Sequence, residues 1–326
     1  MEKLPFLEPV RADLRQVEQV IRGRLDSDVA LVRQVAEHIV AGGGKRLRPA
    51  LLLLAAGAAG HPGRAGPDAR HELGAVVEFI HTATLLHDDV VDASDLRRGR
   101  ETASAAFGNA AAVLVGDFLY SRAFQMMVGV GSMRVMEVLA EATNTIAAGE
   151  VLQLMNCRDP DVDEPRYLEV VRRKTAKLFE AAARLGAVLA GAPRALEEGL
   201  AQYGMRLGTA FQLIDDVLDY SGDADAIGKS LGDDLAEGKP TLPLIHAMGA
   251  GSAQQASLVR TTIREGGREG FAAVLEVIRA CGSLEYARAA AGREAEAARR
   301  AAASLPASDH RDCLLELASF SVTRSS

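Results

Sequence analysis

The sequence predicts an all-α fold, a helical bundle in a single domain spanning residues 1–326. Apolar residues recur at helical spacing along most of the chain, and no segment shows sustained strand alternation flanked by hairpin turns. The segment 78–92 is typical, since it lacks Gly and Pro and its apolar residues follow a helical period. No convincing linker divides the chain, so one domain is expected.

The helical pattern breaks into successive segments. Residues 9–41 predict a pair of helices, which the three glycines at 42–44 end, and another helix covers about 50–60. A loop at 61–68 precedes the helix that ends near Asp92, and 93–108 is polar and irregular. The remaining helices are predicted at about 109–128, 132–155, 165–191, 194–220, 240–249, 253–265, 268–281 and 283–303.

The composition and charge of the chain limit the classes of function and the cellular compartment that are expected. The 326 residues are 48% hydrophobic, enough for a substantial core, and the formal charge of -7 argues against a general nucleic-acid binder. Cys157, Cys281 and Cys313 are widely spaced without a CxxC pattern, which is typical of free thiols in a reducing compartment. The charged N-terminus does not resemble a signal peptide and the apolar run 49–57 is too short to span a bilayer, so a cytoplasmic protein is expected.

The segment 78–92 also carries an acidic motif. Asp88 and Asp92 stand one turn apart on one helix face with His81 two turns below, while Asp89 points away and is expected to orient its neighbours. A lone motif of this kind is usually a solvated helix end, but the chain repeats it at 215–219. Mg²⁺ takes one or two carboxylates and completes its shell with water and phosphate oxygens, so the two motifs together predict a diphosphate site.

Cations and an amide accompany these motifs. Each alone is most simply a solvated loop or surface residue, but together they favour anion binding: the glycine-rich turn brings backbone close to a ligand, and Arg offers a planar fork to phosphate. Gln212 lies one turn before Asp216 and is expected to contact a phosphate or a carboxylate. The other candidates are Lys45, Arg48, Arg97, Arg98, Lys174 with Thr175, Lys229 and Lys239.

These motifs resemble one family, the trans-isoprenyl diphosphate synthases or polyprenyl synthetases. The matching segments are 43–49, 78–81, 88–99, 174–175, 211–219 and 228–240, in family order over nearly the whole chain. Segments 107–127 and 149–155 look most like the bacterial octaprenyl-forming branch. The resemblance implies helices around a central cavity, a homodimer, and Mg²⁺-dependent sequential condensation of isopentenyl diphosphate onto an allylic diphosphate such as farnesyl diphosphate, for a quinone side chain.

The resemblance also implies a role for each site residue. Metal binding falls to Asp88, Asp92 and Asp215, and the catalytic set adds Asp89, Asp216 and Lys174. Isopentenyl diphosphate is expected at Lys45, Arg48, His81 and Arg98. The allylic diphosphate is expected at Arg97, Lys174, Thr175, Gln212, Lys229 and Lys239.

Product length is expected to depend on the helix below the first acidic motif. Ala83 and Thr84 lie five and four residues before Asp88, about 6 to 7.5 Å down the helix. In the resembling family a bulky aromatic there acts as a floor for short products, so two small residues imply an open channel. Met126 and Met127 are either deeper lining or plain core.

Four alternatives stay open at this stage. The product could carry nine or ten isoprene units instead of eight. A class I terpene cyclase shares the helical fold and metal-triggered ionisation but needs no second diphosphate site. A non-catalytic subunit of a heteromeric synthase would not need intact acidic motifs, and a magnesium-dependent hydrolase would not need the paired cationic sites.

Overall fold

The computed structural model describes residues 4–63, 68–97, 99–221 and 231–324, and it is almost entirely helical there. The predicted all-α fold is confirmed. Within these ranges the only strands are two antiparallel strands of two residues each. No helix there is both long and apolar enough to cross a bilayer.

The first half of the chain begins with a short 3₁₀ helix at Pro5–Val10. The elements that follow are α1 (Arg11–Arg24), α2 (Ala30–Ala41), α3 (Leu47–Ala58), α4 (Ala69–Val91), β1 (Leu96–Arg97), β2 (Arg100–Glu101), α5 (Ala103–Phe107), α6 (Asn109–Val130) and α7 (Met133–Asn156). The segment 93–108, predicted to be irregular, therefore contains a hairpin and a short helix. Thr102 caps that helix through its hydroxyl, which accepts a hydrogen bond from the N–H of Ala105 at 3.2 Å.

The second half departs from the predicted pattern in places. The helix expected at 165–191 is interrupted by a π-helical turn at Arg172–Ala176, between α8 (Glu164–Val171) and α9 (Lys177–Leu189). The later elements are α10 (Arg194–Ser221), α11 (Asp233–Glu237), α12 (Leu242–Ala250), α13 (Ala253–Glu265), α14 (Phe271–Ala280), α15 (Ser283–Ala303) and α16 (Asp309–Thr323). The last of these was not among the predicted helices.

The chain divides into two compact units. Unit 1 comprises Met1–Thr143, Leu178–Gly204 and Arg299–Leu317, and unit 2 comprises Asn144–Lys177, Met205–Ala298 and Ala318–Ser326. The expectation of one domain over residues 1–326 stays a prediction.

Each unit has its own apolar core. In unit 1, α3 is buried on nearly all sides, and α4 packs against α3 and, most extensively, against α6. In unit 2, Leu213 and Val217 of α10 pack with Ala287 and Ala291 of α15. The acidic motifs thus sit on helices whose other faces are fixed by core packing, which holds their carboxylates in defined positions.

Candidate active site

The first acidic motif lies at the end of α4 in unit 1. The helix begins with a capping box, in which Asp68 and His71 satisfy each other's backbone N–H groups. Asp88 and Asp92 are one turn apart, because the N–H of Asp92 donates to the carbonyl oxygen of Asp88 at 2.8 Å. Both residues are only partly buried. Two accessible carboxylates at this spacing can offer oxygen ligands to one divalent cation.

Asp89, between them, is buried and holds an arginine. Its Oδ1 accepts from Nε and Nη2 of Arg97 at 2.8 and 2.6 Å. Arg97 is on β1, so this charge-assisted pair ties the hairpin to the end of α4. Arg98, the next residue, lies outside the described residues.

The glycine-rich turn before α3 has an unusual backbone. Gly43 has φ +62°, which glycine adopts freely, and Arg46 has φ +50°, which costs energy in a residue with a side chain. Lys45 lies between them. Arg48 is in the first turn of α3, and its guanidinium sits 4.4 Å from the ring centre of Phe179. The stacking fixes the orientation of that cation.

Arg46 was not among the predicted site residues, yet it is the anchor of this turn. Its Nη1 donates to Glu78 at 2.5 Å, and its Nε donates to Glu18 at 3.2 Å. The Arg46 and Glu78 side chains are only 13% and 9% exposed. Although burial opposes it, the attraction of the two carboxylates raises the pKa of Arg46. Glu78 is on α4, three residues before His81, so Arg46 connects the cationic turn to the acidic helix.

A pocket in unit 1 opens beside these residues. It brings together three of the predicted site residues, His81, Asp89 and Arg97. The other residues lining it are His38, Ile39, Gly42, Gly43, Arg46, Glu78, Thr82, Leu85, Leu86, Arg100, Glu101, Thr102 and Ala103. A lining of both polar and apolar residues suits a ligand with both a charged and a hydrocarbon part.

The second acidic motif lies near the end of α10 in unit 2. Asp215 is exposed, and its Oδ1 accepts from Nη2 of Arg324 at 2.6 Å. The same Nη2 donates to the carbonyl oxygen of Phe211 at 2.8 Å, and the guanidinium lies 4.8 Å from the Phe211 ring centre. No sequence motif marks Arg324 as a partner of Asp215, because 109 residues separate them.

Asp216 is buried within a chain of hydrogen bonds. Gln212 Nε2 donates to its Oδ1 at 2.8 Å, and the hydroxyl of Tyr167 donates to its Oδ2. Gln212 Oε1 accepts in turn from the hydroxyl of Thr175 at 2.8 Å. Gln212 therefore contacts a carboxylate of the motif, as its spacing suggested, and it also accepts from Thr175, a contact that was not predicted.

The carboxylates of unit 2 are crowded. Burial and, next, the carboxylate of Asp234 raise the pKa of Asp216 above its usual range. The same two causes, with a further contribution from Asp233, raise the pKa of Asp219. Asp219 also accepts from the N–H groups of Asp233 and Asp234 at 3.2 and 3.3 Å, so it caps α11. A cation bound here would relieve the repulsion among these groups.

Lys174 and Lys239, the predicted cations among the described residues of unit 2, are each paired with an acid. Lys174, on the π-helical turn, places Nζ 2.6 Å from Oε2 of Glu150. Lys239 forms an ion pair with Glu237 and donates its N–H to the carbonyl oxygen of Asp234 at 2.8 Å. Lys229 lies outside the described residues.

The predicted chain-length residues occupy the body of α4. Ala83 is fully buried, and Thr84 donates its hydroxyl to the carbonyl oxygen of His81 at 2.7 Å. Met126 and Met127 on α6 are both buried. Because Ala83 and Thr84 are small, they fill little space on this stretch of α4.

The donor set fits a hard divalent cation. Each motif offers carboxylate oxygens, the ligands that Mg²⁺ prefers, and those of unit 2 repel one another. Among the described residues, no group of three or more His, Cys, Asp and Glu side chains is close enough together to form a complete metal site by itself. A cation there would complete its shell with oxygens from water and from a substrate phosphate.

Aspartate-rich helices accompanied by arginines and lysines are typical of helical enzymes that bind diphosphate substrates. The polyprenyl synthetase family model matches residues 29–279. The chain is 55% identical over 313 residues to octaprenyl diphosphate synthase of Escherichia coli (strain K12), covering 96% of each. It is 44% identical to the geranyl-diphosphate-specific all-trans-nonaprenyl-diphosphate synthase of Rhodobacter capsulatus, covering 99% of this chain and 98% of that one.

A solved structure is similarly close. The polyprenyl synthase of Caulobacter crescentus CB15, complexed with calcium and isoprenyl diphosphate, superposes with a TM-score of 0.94 at 46% identity, covering 98% of this chain and 97% of that one. The chain belongs to the polyprenyl synthetase family, and it is a prenyltransferase.

Proposed function

We propose that the chain makes octaprenyl diphosphate by adding isopentenyl diphosphate repeatedly to an allylic diphosphate such as farnesyl diphosphate, for the side chain of a quinone. The observation that carries this proposal is the 55% identity to the E. coli octaprenyl enzyme over 96% of each chain. Products of nine or ten units are the alternative, since the nonaprenyl relative matches at 44%.

The cationic turn and α4 are assigned to isopentenyl diphosphate. Lys45, Arg48 and His81 would bind its diphosphate, with Arg98 as a further ligand. Arg48 is oriented by its stacking on Phe179, and the turn is held by the buried Arg46 pairs. Preorganised cations bind phosphate oxygens without having to be ordered on binding.

The allylic diphosphate is assigned to cations and polar groups near the acidic motifs. By the family resemblance, the residues assigned to it are Arg97, Lys174, Thr175, Gln212, Lys229 and Lys239. Mg²⁺, which Asp88, Asp92 and Asp215 would hold, supplies electrostatic neutralisation of the leaving diphosphate. Calcium in the Caulobacter relative supports a divalent cation. Asp89 would orient Arg97, and Asp216 would orient Gln212 and through it Thr175.

The reaction needs no protein nucleophile. The C–O bond of the allylic diphosphate breaks, leaving an allylic cation and a diphosphate that the arginines and lysines stabilise. The double bond of isopentenyl diphosphate then forms the new C–C bond, and a proton leaves to the departed diphosphate. Water would quench the cation, so the apolar walls of the helices protect it.

The other function classes lack a supporting observation. A terpene cyclase or hydrolase has no use for the second cationic set at Lys45, Arg48 and His81. A non-catalytic subunit has no need of both acidic motifs.

A homodimer is part of the proposal. Leu114, Phe124 and Val128 recur at helical spacing on α6 and are 64%, 38% and 65% exposed. A stripe of large apolar side chains on one helix face is typical of a protein interface. A cytoplasmic location is proposed from the three cysteines, none of which forms a disulfide.

The test is the size of the product. The purified chain is incubated with Mg²⁺, farnesyl diphosphate and labelled isopentenyl diphosphate, and the dephosphorylated products are separated against polyprenol standards. A dominant eight-unit product is expected. A dominant nine- or ten-unit product would reject the octaprenyl assignment, and short products alone would reject a long-chain enzyme.

A further inference from the structure

The π-helical turn at Arg172–Ala176 presents two of the proposed allylic-site residues, Lys174 and Thr175. A π-helical turn adds one residue to a helical repeat and is less stable than α-helix, so it persists where packing supports it. The support must come from neighbouring elements of unit 2.

Gly149 on α7 is one of these supports. It is buried, and a Cβ built on it would lie 2.8 Å from the backbone nitrogen of Lys174 and 2.8 Å from Cβ of Arg173. Carbon atoms do not approach a backbone this closely, so any side chain at 149 would displace the turn. Because 149 is glycine, α7 can contact the backbone of the π-helical turn directly.

Glu150, the next residue, pairs with a side chain of the turn, that of Lys174. Oε2 of Glu150 lies 2.6 Å from Nζ of Lys174, and the two side chains are 29% and 17% exposed. On the other side, Thr175 donates to Gln212, which donates to Asp216. The turn is thus fixed through its backbone at Gly149, and through its side chains at Glu150 and Gln212.

We propose that Gly149 and Glu150 are positioning residues for the allylic diphosphate, acting by holding the π-helical turn and thereby Lys174 and Thr175. Neither residue needs to touch the substrate. This inference rests on the proposed function, because it assigns Lys174 and Thr175 to that substrate.

The test compares Gly149→Ala with Gly292→Ala. Gly292 is also a helical glycine of unit 2, but a Cβ there meets nothing within 4 Å, so this variant controls for the substitution itself. In Gly149→Ala, kcat should fall on the order of 100-fold, because a displacement of about 1 Å at a reacting group has that effect. KM for the allylic diphosphate should rise while KM for isopentenyl diphosphate stays within about twofold. Gly292→Ala should match the wild type.

Glu150 gives a second, milder perturbation. Glu150→Ala removes the contact with Lys174, whereas Glu150→Gln keeps an oxygen that can accept from it. We expect KM for the allylic diphosphate to rise in Glu150→Ala and to recover in part in Glu150→Gln. If Gly149→Ala loses its helical circular dichroism, this pair decides alone: equal kinetics in both variants and the wild type would overturn the proposal.

Calorimetry separates this inference from the proposed function. Inorganic diphosphate with Mg²⁺ is titrated, without turnover, into four proteins: the wild type, Gly149→Ala, Glu150→Ala and Gly292→Ala. Weaker binding in Gly149→Ala and Glu150→Ala, but not in Gly292→Ala, supports the positioning role even if the wild type does not elongate. Identical binding in all four proteins, or kinetics of Gly149→Ala that match those of Gly292→Ala, overturns it.

Discussion

Replacing Arg46 with methionine is expected to destabilise the protein well beyond a surface substitution. The change removes one partner of a buried ion pair and leaves Glu78, 9% exposed, without its counter-charge. Breaking a buried pair in this way typically costs about 3–5 kcal/mol. The pair with Glu18, which is 31% exposed, adds at most about 1 kcal/mol. Methionine does not relieve the left-handed backbone at 46, so no gain offsets the loss.

The assay is urea unfolding followed by circular dichroism, with the shift of the midpoint at constant slope read as a change in free energy. Arg22→Met is the matched control, because Arg22 pairs with the same Glu18 but is 66% exposed. It should cost less than about 1 kcal/mol. The double variant Arg46→Met/Glu78→Gln should recover stability relative to Arg46→Met, since no buried charge then lacks a partner. A loss in Arg46→Met no larger than in Arg22→Met would refute the role of Arg46 as an anchor.

Four further outcomes are expected. Asp88→Asn should abolish incorporation of labelled isopentenyl diphosphate while Asp95→Asn, an exposed control, does not, because Asp88 is assigned to the metal and Asp95 is not; equal rates would contradict that assignment. Ala83→Tyr should shorten the product and, as 83 is fully buried, lower stability by about 1–3 kcal/mol; an unchanged product length would reject the channel. Burial, with a smaller effect of Glu316, raises the pKa of the Cys313 thiol to about 11, so its reaction with iodoacetamide should be slow at pH 8 and become faster as the pH approaches 11; mass spectrometry showing the same labelling rate at both pH values would be inconsistent with this. Leu114→Glu should dissociate the proposed homodimer in analytical ultracentrifugation, and an undisturbed dimer would place the interface elsewhere.

The helical fold could be predicted because helices are encoded locally. Apolar spacing and the absence of Gly and Pro predicted a helix over 78–92, which corresponds to the C-terminal part of α4, and one-turn spacing alone put Asp88 and Asp92 on one face. The cationic turn was predictable for the same reason, since three consecutive glycines break a helix.

Other features depend on contacts between distant parts of the chain. The π-helical turn follows from packing against Gly149, 23 residues before it begins, so the segment 165–191 looked like one helix. Arg46 reads as one more cation in a basic run, and its role follows from Glu78 on another helix. Arg324 meets Asp215 across 109 residues, a separation at which no local pattern signals contact.

This chain alone is expected to condense isopentenyl diphosphate with an allylic diphosphate. The most direct measurement is the transfer of label from isopentenyl diphosphate into organic-extractable product, with the purified chain as the only protein. We expect incorporation that requires both farnesyl diphosphate and Mg²⁺. Farnesyl diphosphate that is cyclised or hydrolysed without incorporation, or activity that appears only when a second protein is added, would contradict the account.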